Sequence, residues 1–232
     1  MNAIKKIVVR AVPALTVVLL SFSCRVPLVM IPTVPPSLVE IEGYASLKIT
    51  RSGETAKSKF AFVLSLPHRA KVEIQDPLGR KVAEILINDR DGYFILSSEK
   101  TYWQASPDEI MEKFLGFRLS LREMTGLLCG RWKAETIEDQ QLLSAWKFND
   151  DAEGRKAAGW RGNLEFTVVE FFPGSPVPRR LEFRSPDSRG NLGILAMAFN
   201  KPLSENAWTA DFVTAYASKT WADIEKMLRH EN

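Results

Sequence analysis

Histidine and cysteine, which often carry catalysis and metal binding, are scarce in this sequence. Among 232 residues there are two of each. His68 follows a proline in a predicted hairpin turn and His230 lies near the C-terminus, and neither has the spacing of a zinc site. No G-x-S-x-G, P-loop or paired-glycine nucleotide motif occurs. We therefore predict no catalytic residue, metal or other cofactor, and only a hydrolase with dispersed residues stays open as an enzyme.

An excess of charge of one sign is also absent. The formal net charge is +3, and lysine and arginine are scattered among aspartate and glutamate rather than collected in a stripe. This distribution argues against nucleic acid as a partner. There is no repeat of fixed period and no low-complexity tract. With 45% hydrophobic and 25% charged residues, the composition is that of one globular domain plus a leader, and we expect a monomer.

The first 23 residues have the pattern of an export signal. A basic segment and a short apolar run, residues 11–20, precede Cys24. A cysteine at this position is typical of bacterial lipoprotein signals, in which the thiol is acylated and the chain is cut just before it. The match is incomplete, because Ser21 and Phe22 stand where an apolar and a small residue are usual. Secretion with a free Cys24 and an uncleaved anchor are the alternatives.

Residues 24–40 predict a tether between the acylated cysteine and a folded body. They contain four prolines and little periodicity, which favours extended conformations. Arg25 follows the lipid site, where an aspartate would favour retention at the inner membrane. We therefore expect an outer-membrane anchor with the domain facing the periplasm. Cys129 is then the one remaining cysteine, and its place on the apolar face of a predicted helix indicates burial.

Residues 41–232 predict one mainly β domain with short helices. Short turn signals separate runs of strand length, which indicates hairpins and an antiparallel sheet. The predicted strands are residues 41–50, 60–66, 71–75, 81–88, 93–97, 101–104, 142–148, 162–172, 179–184, 191–200 and 208–212. About eleven strands are more than a flat sheet accommodates, so we expect a strongly curved, unclosed antiparallel β-barrel. Ser218 or Thr220 can cap a C-terminal helix.

Two short apolar helices interrupt the strands. The first begins after Ser106 and ends at Gly116, and the second covers about residues 120–129. Helices this short are not stable alone, so they must pack on the sheet. Either they are ordinary core helices or they form a lid over an apolar interior that is not completely filled. The apolar lid residues are Ile110, Met111, Phe114, Leu115, Leu121, Met124, Leu127 and Leu128.

The turn Asp76-Pro77-Leu78-Gly79 carries an unexpected residue. Pro77 presets the backbone of the second turn position, and Gly79 tolerates the conformation that follows. Leu78 has no core to enter at a hairpin tip, where asparagine, aspartate or serine would be usual. Leu78 either folds back on its own hairpin or has a use outside the domain.

Four elements, taken together in their order and spacing, resemble the LolB family of outer-membrane lipoprotein receptors. The elements are residues 69–85, residues 101–116, residues 118–130, and Gly159-Trp160 followed by the strand at 179–183. LolB accepts lipoproteins from the periplasmic carrier LolA and inserts them into the membrane. The sequence departs from the family pattern at Leu119-Ser120 and in its C-terminal extension.

The resemblance implies a fold, a cavity and partners. The fold is an unclosed β-barrel covered by short helices, and the lid residues given above border a cavity for acyl chains. Pro77, Leu78 and Gly79 form a turn whose leucine enters the membrane. The implied partners are lipoprotein acyl chains, a LolA-like carrier and outer-membrane lipid. Two alternatives stay open: a LolA-like carrier of another lipid, and a structural or sensing envelope lipoprotein that binds a protein.

Overall fold

The computed structural model describes residues 33–76, 78–132, 137–201 and 208–230, and of residues 138, 139, 229 and 230 the backbone alone. The strands are β1 (Glu40–Arg51), β2 (Glu54–Ser65), β3 (Arg69–Gln75), β4 (Lys81–Asn88), β5 (Asp91–Leu96), β6 (Thr101–Ala105), β7 (Lys147–Asp150), β8 (Lys156–Arg161), β9 (Leu164–Phe171), β10 (Pro178–Arg184), β11 (Ser188–Phe199) and β12 (Ala217–Ser218). The helices are α1 (Pro107–Leu115), α2 (Leu121–Cys129), α3 (Ile137–Ser144) and α4 (Trp221–His230), with a 3-10 turn at Asp211–Thr214.

All twelve strands belong to one sheet, in the order β12-β6-β5-β4-β3-β2-β1-β11-β10-β9-β8-β7. Every neighbouring pair is antiparallel except β12 and β6, which run parallel. The long strand β1 pairs with β2 on one side and with β11 on the other, and so joins the two halves of the sheet. Within the described residues, the edge strands β7 and β12 are not paired with each other. The predicted unclosed antiparallel sheet with short helices is confirmed.

Two predicted strands are wrong. Residues 142–148 are divided between the end of α3 and the start of β7, and residues 208–212 lead into a 3-10 turn. The sequence prediction also missed β8, whose sequence KAAGWR lacks the β-branched residues that mark strands. Small residues are needed there: a Cβ on Gly159 would lie 2.5 Å from the ring of Phe166 and 2.9 Å from that of Phe148.

The core lies between the inner face of the curved sheet and the helices. Alternate residues of the strands point inward, as the burial of Phe60, Phe62 and Leu64 on β2 shows. The helices α1 and α2 cover these side chains, and the predicted cap at Ser106 and the predicted stops at Gly116 and Gly130 are confirmed. Ser106 accepts a hydrogen bond from the backbone of Glu109 at the start of α1, and Ser120 forms a capping box at the start of α2.

The C-terminal segment covers the other face and one edge of the sheet. On β4–β6, the outward side chains Leu86, Tyr93, Ile95 and Tyr102 form a second buried cluster with Trp208. The strand β12 then pairs with the edge strand β6. The helix α4 follows on the inner face, where Trp221 contacts the rings of Phe94 and Trp103 and Ile224 is fully buried. The segment thus passes around the free edge of β6.

Candidate functional site

A small apolar cavity lies between the sheet and the two lid helices. Its volume is about 30 Å³, which leaves room for roughly two water molecules. Six of the eight predicted lid residues line it: Met111, Phe114, Leu115, Leu121, Met124 and Leu128. The other two, Ile110 and Leu127, are buried without lining it. Ile110 packs so closely on β5 that a Cβ at Gly92 would lie 2.7 Å from it.

The interior is fuller than the sequence led us to expect. Side chains of the sheet, among them Phe60, Phe62 and Val72, occupy most of the space beneath the lid. A cavity of about 30 Å³ does not accommodate an acyl chain of many methylenes. Entry of an acyl chain beneath α1 and α2 would therefore require one of these helices to move.

Apolar contacts and exposed polar contacts hold α1. The ring of Phe114, which is half-buried, stands edge-on to Phe60 with their centroids 5.3 Å apart. The ion pair between Glu112 and Arg118 is largely exposed, and such pairs contribute little to stability. Lys113 lies 5.5 Å from the ring centre of Trp221 on α4. Lifting α1 from Phe60 would therefore break few buried polar contacts.

The start of α2, by contrast, is held by a buried carboxylate. The side chain of Glu123 is 1% exposed, and its Oε1 atom lies 2.8 Å from Nη1 of Arg161 on β8. Trp146 donates its indole N–H to the same oxygen at 2.6 Å. Arg161 also donates a hydrogen bond to the carbonyl oxygen of Arg118, just before the helix. We call Glu123, Trp146 and Arg161 the lid latch.

The lid latch was missed by the sequence prediction. Ser120-x-x-Glu123 is a visible capping-box pattern, and that pattern accounts for the glutamate without any distant partner. Trp146 and Arg161 reach Glu123 only because β7 and β8 fold back beside the lid. No local signal in the sequence indicates that contact.

Leu78 projects away from the domain. It is 80% exposed, the highest value among the exposed large apolar side chains of the described residues. Asp76 accepts hydrogen bonds from the backbone N–H groups of Leu78 at 2.8 Å and Arg80 at 2.9 Å, and from Nε of Arg80 at 2.7 Å. These bonds hold the pKa of Asp76 below its usual value. Leu78 therefore does not fold back on its hairpin. Pro77 lies outside the described residues.

The same turn is built a second time between β7 and β8, with sequence Asp-Ala-Glu-Gly-Arg from 151 to 155. Asp151 accepts from the backbone N–H of Glu153 and of Arg155 and from Nε of Arg155, at 2.8–3.0 Å. The glycines of both turns have positive φ, 81° at Gly79 and 75° at Gly154. Glutamate occupies the position equivalent to Leu78. The turn geometry therefore does not require a leucine.

Cys129 is fully buried, as predicted. Burial raises the pKa of its thiol to about 12, which keeps the thiol protonated and unreactive near neutral pH. The other cysteine, Cys24, and the predicted export signal lie outside the described residues. No three histidine, cysteine or acidic side chains of the described residues come together in a metal-binding arrangement. None of the described helices is both long enough and apolar enough to cross a membrane.

Comparison with known families agrees with this architecture. A sequence model of the family described as outer membrane lipoprotein LolB matches residues 40–196. The chain belongs to the LolB family. The match covers both lid helices, the lid latch and the Leu78 turn, and it ends before the C-terminal segment at residues 208–230.

Solved structures similar to this LolB-family protein are distant in sequence. A DUF1329 family protein from Desulfovibrio piger has a TM-score of 0.51 at 11% identity, with 76% of this chain and 92% of that chain covered. A LolA superfamily protein from Nitrosomonas europaea has a TM-score of 0.49 at 13% identity, with 78% and 93% covered. The first of these supports the fold alone. No curated protein sequence matches the chain.

Proposed function

We propose that this protein is a lipid-anchored receptor of the outer membrane that accepts lipoproteins from a periplasmic LolA-like carrier and inserts them into the membrane. Acylation at Cys24 holds it there, facing the periplasm. The main support for this proposal is the exposure of the apolar residue Leu78 on its turn. The equivalent turn between β7 and β8 has glutamate at the same position. Membership of the LolB family supports the same role.

Hand-over of this kind makes and breaks no covalent bond. Moving an acyl chain from water into an apolar site gains about 0.8 kcal/mol per methylene. The chain must therefore stay shielded between carrier and membrane. A receptor cavity slightly more favourable than the carrier's, followed by a still more favourable bilayer, transfers the chain without an energy source.

Opening of the lid is the step that admits the chain. The apolar side chains that now fill the space under α1 and α2, with Phe114 at the half-buried position, line the opened cavity. The lid latch holds α2 to β8, whereas α1 has few buried polar ties. We therefore assign the larger movement to α1. Leu78 brings the domain to the lipid surface for release.

The small cavity favours a second candidate function. A structural or sensing lipoprotein that binds a protein partner needs no room for an acyl chain, and about 30 Å³ offers none in the closed state. Binding of a fluorescent long-chain fatty acid distinguishes the two. Ala70 lies on the cavity wall. Saturable binding that is lost when Ala70 is replaced by a bulky residue supports the receptor, whereas absence of binding supports the second candidate.

The decisive experiment is depletion of the protein followed by membrane fractionation. We expect lipoproteins to accumulate in the periplasm or inner membrane, and unchanged sorting would contradict the proposal. Complementation with Leu78→Glu should leave folding intact and impair insertion, since glutamate is accepted in the equivalent turn at Glu153. Ile137→Glu is the matched control, because Ile137 is 77% exposed and lies on α3. Full rescue by Leu78→Glu would argue against membrane contact at this turn.

The anchor is tested separately. Incorporation of labelled palmitate should depend on Cys24. Lipoprotein delivery that continues unchanged after replacement of Cys24 would favour a LolA-like carrier of another lipid over a membrane-held receptor.

A further inference from the structure

A groove of about 400 Å³ lies on the outer face of the sheet, opposite the lid. Four exposed cationic side chains border it, Lys48 from β1, Lys57 and Lys59 from β2, and Arg180 from β10. We call it the basic groove. Two small residues, Ser46 and Gly193, face each other on its floor. A Cβ on the glycine would lie 3.0 Å from the serine hydroxyl.

The register of the strands explains how these cations come together. Lys48 is the cross-strand partner of Lys57, and Ser46 is the partner of Lys59. Gly193 pairs with Ser46 on one side and with Arg180 on the other. All four cations therefore project from the same face, although Arg180 is far from the others in sequence.

The cations of the basic groove are not paired with acidic side chains in the part of the chain that the structure describes, and Glu170, in register opposite Arg180, pairs with Arg179 instead. Among the described residues, none of Lys48, Lys57, Lys59 and Arg180 forms an ion pair, and no acidic side chain lines the groove. Lys48 and Lys57 stand directly opposite each other, an arrangement of like charges that destabilises a sheet. An uncompensated cost of this kind is relieved when an anion binds between the cations.

The groove lies beside the Leu78 turn. Lys59 is in register with Gln75, which is the last residue of β3 and immediately precedes Asp76 of the turn. Lys57 lies two residues further along β2, past the end of β3. Neighbouring strands are about 4.8 Å apart, so Lys57 and Lys59 stand on the strand adjacent to the one that leads into the Leu78 turn.

We propose that the basic groove binds the phosphate groups of anionic lipids at the membrane surface that Leu78 enters. This inference rests on the proposed function and specifies its lipid. Leu78 supplies an apolar contact that is independent of lipid charge, and the groove adds electrostatic attraction. The groove thereby favours an anionic surface and fixes which side of the domain faces it.

The test uses the full chain with Cys24→Ala, so that acylation does not hold the protein on vesicles. Flotation is measured with vesicles of phosphatidylcholine alone and of phosphatidylcholine mixed with phosphatidylglycerol. The variant is Lys57→Glu with Lys59→Glu. The matched control, Arg90→Glu with Lys147→Glu, makes the same change in charge at exposed positions outside the groove. Thermal unfolding checks that both variants stay folded.

The control should bind the anionic vesicles as the unmodified protein does. Loss of each cation near the surface should lower affinity by about fivefold, so the groove variant should lose at least about 25-fold, because each glutamate also adds a repelled negative charge. High salt should remove the difference, and binding to neutral vesicles should be equal for all. Equal binding of groove variant and control to anionic vesicles would overturn the proposal.

Two further outcomes separate this inference from the proposed function. Loss of lipoprotein uptake from the carrier, with normal binding to anionic vesicles, would assign the groove to an acidic protein and overturn the lipid assignment. A groove variant that loses anionic binding while Leu78→Glu has no effect on insertion would support the groove and contradict membrane contact at the turn.

Discussion

The carboxylate of Glu123 on the second lid helix lies 2.8 Å from the guanidinium of Arg161 on β8, and the glutamate is almost completely buried. Removing a charge from water is costly unless a partner compensates for it. Arg161 and the indole N–H of Trp146 provide that compensation. The position of α2 therefore depends on a buried ionic contact that is expensive to break, whereas the ion pair of α1, between Glu112 and Arg118, is largely exposed.

Glu123→Gln should loosen α2 and lower the stability of the domain. The glutamine removes the charge and leaves Arg161 facing a neutral group. We expect the free energy of unfolding to fall by about 1–3 kcal/mol, measured by urea denaturation. Amide hydrogens of α2 should exchange faster than in the unmodified protein.

The matched control is Glu112→Gln, which removes the partner of Arg118. That pair is mostly exposed, with side-chain exposures of 73% for the arginine and 40% for the glutamate. Exposed pairs contribute about 0–1 kcal/mol. Equal effects of the two substitutions would contradict a special role for the lid latch.

Cys129 should be unreactive in the folded protein. Burial raises the pKa of its thiol to about 12, so with Cys24→Ala in place iodoacetamide should modify the chain only after unfolding. The unfolded thiol has a lower pKa and ionises first. The stability that the buried, protonated thiol of Cys129 contributes is therefore complete below the pKa of the unfolded thiol. It is lost as the pH rises from that value towards 12, the pKa of the folded thiol. Rapid modification of the native chain would show that α2 opens readily.

The fold was predictable wherever local signals were strong. Short turn signals indicated the hairpins of β1–β6, and the caps Ser106 and Gly116 defined α1. The segment at 142–148 was misassigned because its apolar residues serve a short helix and then a strand. Leu78 was identified because it contradicts the usual chemistry of turns.

The remaining features depend on contacts between distant parts of the chain. The partnership of Glu123 with Arg161 and the meeting of Lys48 with Arg180 in one groove are products of strand order. A count of charges along the sequence showed scattered lysine and arginine. Only the register of β2, β1, β11 and β10 places four of them together.

Asp76→Ala should impair membrane insertion although Leu78 is retained. The substitution removes the oxygen acceptors that order Leu78 and Arg80. The pKa of Asp76 is lower in the folded protein than in the unfolded chain. The ionised carboxylate therefore stabilises the turn above the unfolded pKa, and this stabilisation is lost as the pH falls through the folded pKa. Insertion of lipoproteins into vesicles at neutral pH measures the effect.

Asp151→Ala is the control for that experiment, because Asp151 orders the equivalent turn through the same hydrogen bonds. It should weaken its own turn without changing insertion. Equal impairment by both substitutions would show that loss of stability, rather than placement of Leu78, causes the defect.

Trp208→Ala should destabilise the protein without affecting lipid hand-over. Trp208 is buried in the cluster on the outer face, and replacing a buried tryptophan by alanine costs about 3–5 kcal/mol. Trp208 lies beyond the part of the chain that matches the LolB family and on the face of the sheet opposite the lid. We therefore expect a lower midpoint of urea unfolding and normal insertion of lipoproteins at temperatures where the variant is folded.

A chain that stops before Trp208 gives the stronger form of this test. It loses α4 and also β12, whose segment donates hydrogen bonds from the N–H groups of Ala217 and Lys219 to the carbonyl oxygens of Lys100 and Tyr102 at the β6 edge. An edge strand without such a partner is a template for pairing with other chains, and the aromatic residues Tyr93 and Tyr102 would be uncovered beside it. We expect aggregation, measured by light scattering. A truncated chain that stays soluble and fully stable but fails in insertion would instead assign the segment a direct part in transfer. Loss of the segment would then act neither through stability nor through exposure of the β6 edge.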